Sequence, residues 1–209
     1  DEVMTGFGRT GKMLACKHFH VVPDIVALGK GMGAGYAPIA AALVSEKTMM
    51  PIKQGSKLIM SGHTLSANPQ SCATALAVME YLENNRIIEG VETKGTYLRS
   101  LLEKLQSFFP FIGDVRGKGL MLGLELVQDP KTKQSYPRNW NVIKKLIEFS
   151  REAGLLIYPS SAGLDGTSGA AVIISPPLTI TNQEMEELVS LLEKALINLK
   201  CYLEDVKKE

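Results

Sequence analysis

A chain of 209 residues with 45% apolar content can bury a sizeable core, and 23 lysines and arginines against 22 acids leave it at a net charge of +1. With no long run of either sign, that balance argues against a nucleic-acid footprint and for small neutral or zwitterionic ligands. No apolar run reaches the about eighteen residues that cross a bilayer and no basic-then-apolar signal opens the sequence. The scattered Cys16, Cys72 and Cys201, with no C-x-x-C, fit reduced thiols in the cytoplasm.

The sequence starts on DEVMTGFGRTGK (1–12), which contains a literal G-x-G-x-x-G at Gly6, Gly8 and Gly11. A dinucleotide fingerprint of that form needs a strand before the glycines, a helix opening on the third, and an acid about 20 residues on, a place Asp24 fills. Here the leading segment is charged, and Arg9 stands where a pyrophosphate approaches bare backbone. A dinucleotide-binding module using these glycines is the alternative from a different functional class. A second near-match, Gly29, Gly31 and Ala34, is followed by Pro38 and a strand-like run instead of a helix. The chain begins on what reads as the end of a strand, so we expect a portion of a longer protein.

PDIVAL (23–28) and IAAALVS (39–45) read as two buried strands around the glycine-rich GKGMGAGYAP. KLIMSGHTLSANP (57–69) reads as a strand end and an irregular loop, with Pro69 opening a helix that runs to about Asn84. Between Ile87 and Phe109 the positions Val91, Leu98, Leu101, Leu102, Leu105, Phe108 and Phe109 recur at helical spacing, with Gly95 as a bend. GLMLGLELV (119–127) is strand-like, and NWNVIKKLIEFSREAG (139–154) is an amphipathic helix closed by Gly154. LLIYPS and AAVIIS are short strands, SSAGLDGTSG (160–169) a mobile loop, and Thr181 with Glu184 a capping box for a final helix. The character of the chain changes near residue 85, giving an α/β portion over 1–85 and a smaller α+β domain over 86–209.

Lys30 stands directly after a strand, between Gly29 and Gly31. Most lysines are solvated loop residues, but the C-terminal end of a strand in an α/β fold is where ligands bind, and partial burial there lowers a lysine's pKa toward nucleophilic use. Asp1 precedes it by 29 residues, about one β-crossover-β unit, which brings both to one edge of a parallel sheet. A carboxylate and a lysine converging on one crevice are the pair a pyridoxal phosphate (PLP) enzyme needs.

DEVMTGFGRTGK, PDIVALGKGMGAGYAP, SGHTLSANP and VRGKGLMLGLEL occur in this order over roughly the first 126 residues, and together they resemble the class III aminotransferases of fold type I. The resemblance implies the C-terminal part of the large PLP-binding domain followed by a small α+β C-terminal domain. It assigns Asp1 to the pyridine nitrogen, Lys30 to the Schiff base and proton shuttle, and Val3 to the ring face. Thr64 is assigned to the cofactor phosphate in the neighbouring subunit's site, which implies a homodimer. Arg116 matches an arginine that many relatives use to hold a substrate carboxylate, and a structural ion pair is the equal alternative. The implied activity moves an amino group from an amine or ω-amino acid to a 2-oxo acid. An aminomutase or racemase of the same family shares these residues, and a non-catalytic fragment is a further alternative. Met4 departs from a glutamine found in several relatives. His63 reads as structural, and His18 with His20 lacks the further ligands of a metal site, so no metal is expected. The family's phosphate-binding loop, ring-covering aromatic and most of its pocket are expected in an N-terminal half outside this sequence.

Overall fold

The computed structural model describes residues 1–160 and 169–208, so the loop read at 160–169 lies almost wholly outside the described residues. The chain forms two compact units, Asp1–Val91 and Glu92–Glu209.

In the first unit, turns from Val3 onward lead to a 3-10 turn at Ala15–Phe19 and then to β1 (Ile25–Leu28). A second 3-10 turn, Lys30–Met32, precedes β2 (Ala41–Val44), which pairs antiparallel with β1, Ile25 opposite Val44 and Leu28 opposite Ala41. The two strands are not both buried: Val26 and Leu28 enter the core, whereas Leu43 and Val44 are exposed, because β2 has β1 alone as a neighbour. Helix α1 (Glu46–Gln54) was hidden in the sequence by its internal Pro51, a residue that normally breaks helices. Ser45 starts it by accepting the Thr48 N–H. Helix α2 (Pro69–Asn84) opens with Pro69 at its first position and Asn68 accepting the Ser71 N–H at 3.1 Å. Residues 57–63 take up no regular structure, and Met60 is 97% exposed. The expected strand end is absent there, since a strand without a pairing neighbour leaves its backbone groups unpaired.

Helix α3 (Ile87–Phe108) runs unbroken through Gly95. That glycine is needed for close approach instead of a bend, because a Cβ there would fall well inside contact distance of the Gly119 carbonyl oxygen. In the second unit α3 is tied to its neighbours by Arg99 donating to the Val115 carbonyl, Gln106 to Ile112 and Lys94 to Leu178. Leu98, Leu102, Leu105 and Phe109 are buried, whereas Phe108 lies off this stripe and is 73% exposed.

The second unit carries an antiparallel sheet of order β3-β4-β6-β5, comprising β3 (Ile112–Lys118), β4 (Met121–Leu126), β5 (Tyr158–Ser160) and β6 (Ala170–Ile174). Strand β3 is the unanticipated member: two glycines and its charged residues mask its alternation. Leu122, Leu124 and Leu126 line the buried face of β4. Helix α4 (Val142–Glu152) ends before Gly154 at φ +93° and packs on α5 (Asn182–Val206), whose Thr181–Glu184 capping box forms as expected. Met185, Val189, Leu192, Ala195, Leu196 and Leu199 are buried along α5.

Candidate active site

The Glu2 N–H donates to the Ala27 carbonyl at 2.9 Å, so the opening residues lie beside the C-terminal half of β1. This contact sets Glu2 beside Ala27, three residues before Lys30, by a different route from the one expected. Among the described residues there is no parallel pair, and the chain between them travels through turns and a 3-10 turn without a crossover helix.

Asp1 is exposed, and its Oδ1 accepts the Val3 N–H at 2.8 Å, which fixes the carboxylate on the side of the turn. Val3 packs over the backbone beside Lys30: a Cβ placed on the buried Gly29 would lie 3.4 Å from Val3 Cγ1, ordinary van der Waals contact. Lys30 itself starts the 3-10 turn with φ +41°, a left-handed conformation that stores on the order of 1 kcal/mol in a non-glycine residue and that eight other non-glycine residues share among the described residues. Its carbonyl is held by the Gly33 and Ala34 N–H groups, each at 3.1 Å. The lysine side chain is exposed instead of partly buried, because no described residue covers it.

The glycines of the opening block have structural reasons that need no nucleotide. A Cβ at Gly6 would lie 2.7 Å from the Glu2 carbonyl oxygen, one at Gly8 would meet Ile88 at 2.6 Å, and Gly8 and Gly11 both have φ near +90°. After Gly11 the chain makes bends and a 3-10 turn. The helix that a dinucleotide site requires at its third glycine is missing, and with it the phosphate-binding dipole.

Thr64 lies in an exposed loop, and its hydroxyl makes no hydrogen bond among the described residues. The loop is shaped by its neighbours: the His63 N–H donates to Ser66 Oγ at 3.0 Å, and His63 Nδ1 accepts the Leu65 N–H at 3.1 Å. These bonds agree with a structural His63. His18 is likewise occupied, with Nε2 3.0 Å from the Thr10 carbonyl oxygen.

Arg116 belongs to β3 in the second unit, opposite Gly123 of β4, on the face away from the buried Val115. Its Nη1 donates to Asp114 Oδ2 at 2.8 Å and to Glu125 Oε2. The hydrogen bond with Asp114, then that with Glu125, holds the guanidinium above its already high ordinary pKa. The same unit contains a groove of about 580 Å³ lined by Leu156, Tyr158, Ile173, Pro176, Ile180 and Leu188. Its lining carboxylate, Glu184, is spent on capping α5, which leaves Tyr158, Ser175 and Thr179 as the other polar residues of a mainly apolar groove.

The residue that sequence reasoning missed is Glu2. It is 6% exposed, with Oε1 accepting the Cys16 N–H at 2.8 Å and Oε2 accepting the Thr5 hydroxyl. Burial raises its pKa, but the bonds from Thr5, Cys16 and Ala15 outweigh burial and hold it below the usual carboxylate value. Nothing in the sequence marks it beyond a threonine three positions on.

Comparison with known proteins gives the family and the fold. The sequence model of the family described as "Aminotransferase class-III" matches residues 1–196. The uncharacterized aminotransferase YodT of Bacillus subtilis (strain 168) is 51% identical over 196 residues, covering 94% of this chain and 44% of that protein. A leucine/methionine racemase of Thermococcus litoralis is 38% identical over 202 residues, 96% of this chain and 42% of its own length. Among solved structures, an amine transaminase from an uncultivated Pseudomonas species, in its PLP-bound form, superposes with a TM-score of 0.85 at 37% identity, over 95% of this chain and 44% of that one. The chain thus spans less than half the length of the relatives it matches. From its opening turn to α5, it belongs to the class-III aminotransferase family and takes the fold of the corresponding part of those PLP-dependent transaminases.

Proposed function

We propose that this chain acts as part of a PLP-dependent aminotransferase that moves an amino group from an amine or ω-amino acid to a 2-oxo acid. The observation that carries the reading is the single edge shared by Asp1, Val3 and Lys30, with the lysine held in a left-handed turn. The donor set fits the cofactor: an exposed carboxylate for a protonated ring nitrogen, an apolar side chain for a ring face, and a primary amine for the aldehyde carbon. Bound there, PLP supplies an electron sink for the carbon that loses its proton. Asp1 keeps the ring nitrogen protonated. Lys30 Nζ would hold the cofactor at its aldehyde carbon and, as a primary amine beside the reacting carbon, would move the proton there. Residues beyond these 209 supply the rest of the pocket.

Thr64, with its free hydroxyl on an exposed loop, takes the cofactor phosphate of a neighbouring subunit, so the working assembly is a homodimer. For Arg116, the two carboxylates on one nitrogen support the structural role, since they already neutralise the guanidinium charge. The unpaired Cys16, Cys72 and Cys201 support a reducing, cytoplasmic setting.

Borohydride reduction of the full-length protein with PLP, followed by peptide mapping, tests this reading. The expected result is a pyridoxyl adduct on the peptide bearing Lys30, together with a loss of transamination of about 10³-fold or more in Lys30→Ala. An adduct elsewhere, or an active Lys30→Ala, overturns it. The identity with the racemase favours a second reading, in which the same residues return the proton to the carbon it left. Stoichiometric consumption of a 2-oxo acid separates the two, because a racemase needs no acceptor.

A further inference from the structure

Glu2 stands between two residues to which the proposed chemistry assigns work, yet it has none itself. It is buried, and each of its polar groups is engaged. Its N–H donates to the Ala27 carbonyl at 2.9 Å, and its carbonyl accepts the Gly6 N–H at 2.9 Å. One carboxylate oxygen accepts the Cys16 N–H, and the other accepts the Thr5 hydroxyl. The Ala15 N–H also bonds to the carboxylate. These partners come from three separate stretches: the opening turn, the 3-10 turn at Ala15–Phe19, and β1.

We propose that Glu2 is the positioning residue of the site, its buried carboxylate clamping the turn at Ala15 and Cys16 to the opening segment so that Asp1 is held against the end of β1 that carries Lys30. The argument is geometric. The Asp1 carboxylate accepts the Val3 N–H two residues away, within the same turn. Among the described residues Asp1 is tied to β1 through the next residue, Glu2, whose N–H bonds to the Ala27 carbonyl three residues before Lys30. Any slip of Glu2 along β1 moves Asp1 relative to Lys30 by the same amount. A misplacement of about 1 Å in such a pair lowers the rate by about 10²-fold. Removing the carboxylate leaves at least two backbone N–H groups, those of the half-buried Cys16 and Ala15, without their acceptor. Glutamine keeps one acceptor oxygen of the same shape for these N–H groups and can donate to the Thr5 hydroxyl, losing only the charge assistance, which distinguishes positioning by hydrogen bonds from a role for the charge itself.

This inference rests on the function proposed above, and the experiment separates the two. Full-length protein is prepared as the unsubstituted form and as Glu2→Ala, Glu2→Gln and Asp1→Asn, first without cofactor and then with PLP carrying ¹⁵N in its ring. Without cofactor, amide exchange at Ala15 and Cys16 is expected to speed up about tenfold or more in Glu2→Ala and to change little in Glu2→Gln. With cofactor, the ring ¹⁵N shift of Glu2→Ala moves toward that of Asp1→Asn and the PLP dissociation constant rises about tenfold, while Glu2→Gln stays with the unsubstituted protein. A merely structural role would leave the ¹⁵N shift of the folded, loaded protein unchanged. Unaltered shift and affinity in Glu2→Ala, with an intact response to Asp1→Asn, overturn the positioning role and leave the enzyme reading standing. Failure of the unsubstituted protein to take up PLP overturns both. If Glu2→Ala does not fold, Glu2→Asp replaces it: the oxygens retract by one methylene, an intermediate ¹⁵N shift is expected, and an unsubstituted-like shift overturns the proposal.

Discussion

A carboxylate that three backbone and side-chain donors hold below its ordinary pKa makes folding depend on pH in one direction only. Glu2 is such a group, its bonds from Thr5, Cys16 and Ala15 outweighing the opposing effect of burial. Because the folded pKa lies below the ordinary glutamate value of 4.5, the stabilisation is fully present above that value. It is lost as the pH falls through the lower folded value. We expect urea midpoints of the unsubstituted protein to drop on acidification through this range more steeply than those of Glu2→Gln, which carries no titrating group at the position. At neutral pH the two should differ least in slope, since Glu2 is fully ionised there. Parallel curves through the acid range would mean that another carboxylate governs the acid limb.

At the scale of elements, periodicity showed where packing decides and concealed what single residues decide. Helix α2 begins at Pro69 and ends at Asn84 as the sequence implies, because a proline at the first position and an asparagine cap leave little freedom. Helix α5 follows its capping box in the same way. Strand β3 escaped notice because Asp114 and Arg116 sit on the face away from the core, where charges are tolerated, and Gly113 and Gly117 dilute the apolar pattern. Helix α1 escaped because Pro51 reads as a breaker. Of the candidate site, Asp1, Val3 and Lys30 were proposed from their motif blocks, whereas Glu2 makes contacts to Ala15 and Cys16 that no local spacing encodes. Two glycines in α3 turn the difference between pattern and contact into a test. A Cβ added at Gly90 would have nothing within 4 Å, while one at Gly95 would strike the Gly119 backbone. Gly90→Ala should stabilise by roughly 0.5–1 kcal/mol, since alanine loses less backbone entropy in a helix interior. Gly95→Ala should destabilise by about 2 kcal/mol or more, because the obstructing atoms are backbone and cannot rotate aside. Urea unfolding of both variants checks the pair. A destabilised Gly90→Ala or a neutral Gly95→Ala would contradict the close approach of α3 to the β3–β4 turn.

Across the whole molecule the two units bury their apolar residues unequally. In the second unit Leu122, Leu124, Val172, Leu192, Leu196 and Leu199 are all at or below 2% exposure, in a four-stranded sheet and the long helix α5. In the first unit Ile25, Tyr36, Leu43, Leu58, Ile59 and Met60 are exposed, and the sheet has two strands, too few to be stable without further packing. Local opening free energy follows buried contact, so native-state hydrogen exchange of the 209-residue chain should be graded in space. The amides of β4, β6 and the middle of α5 should exchange slowest. Those of β2, α1 and residues 57–63 should exchange within the fast class, and the amides of Glu2 and Cys16 should fall between, the first bonded to the Ala27 carbonyl and the second to the Glu2 carboxylate. In the full-length protein the first unit's exposed apolar side chains acquire partners under the proposed function, so β2 should gain protection there while β4 and β6 change little. Equal protection of β2 in both forms would show that this unit completes its core within the 209 residues, and would remove the physical reason for seeking the rest of the PLP pocket outside them.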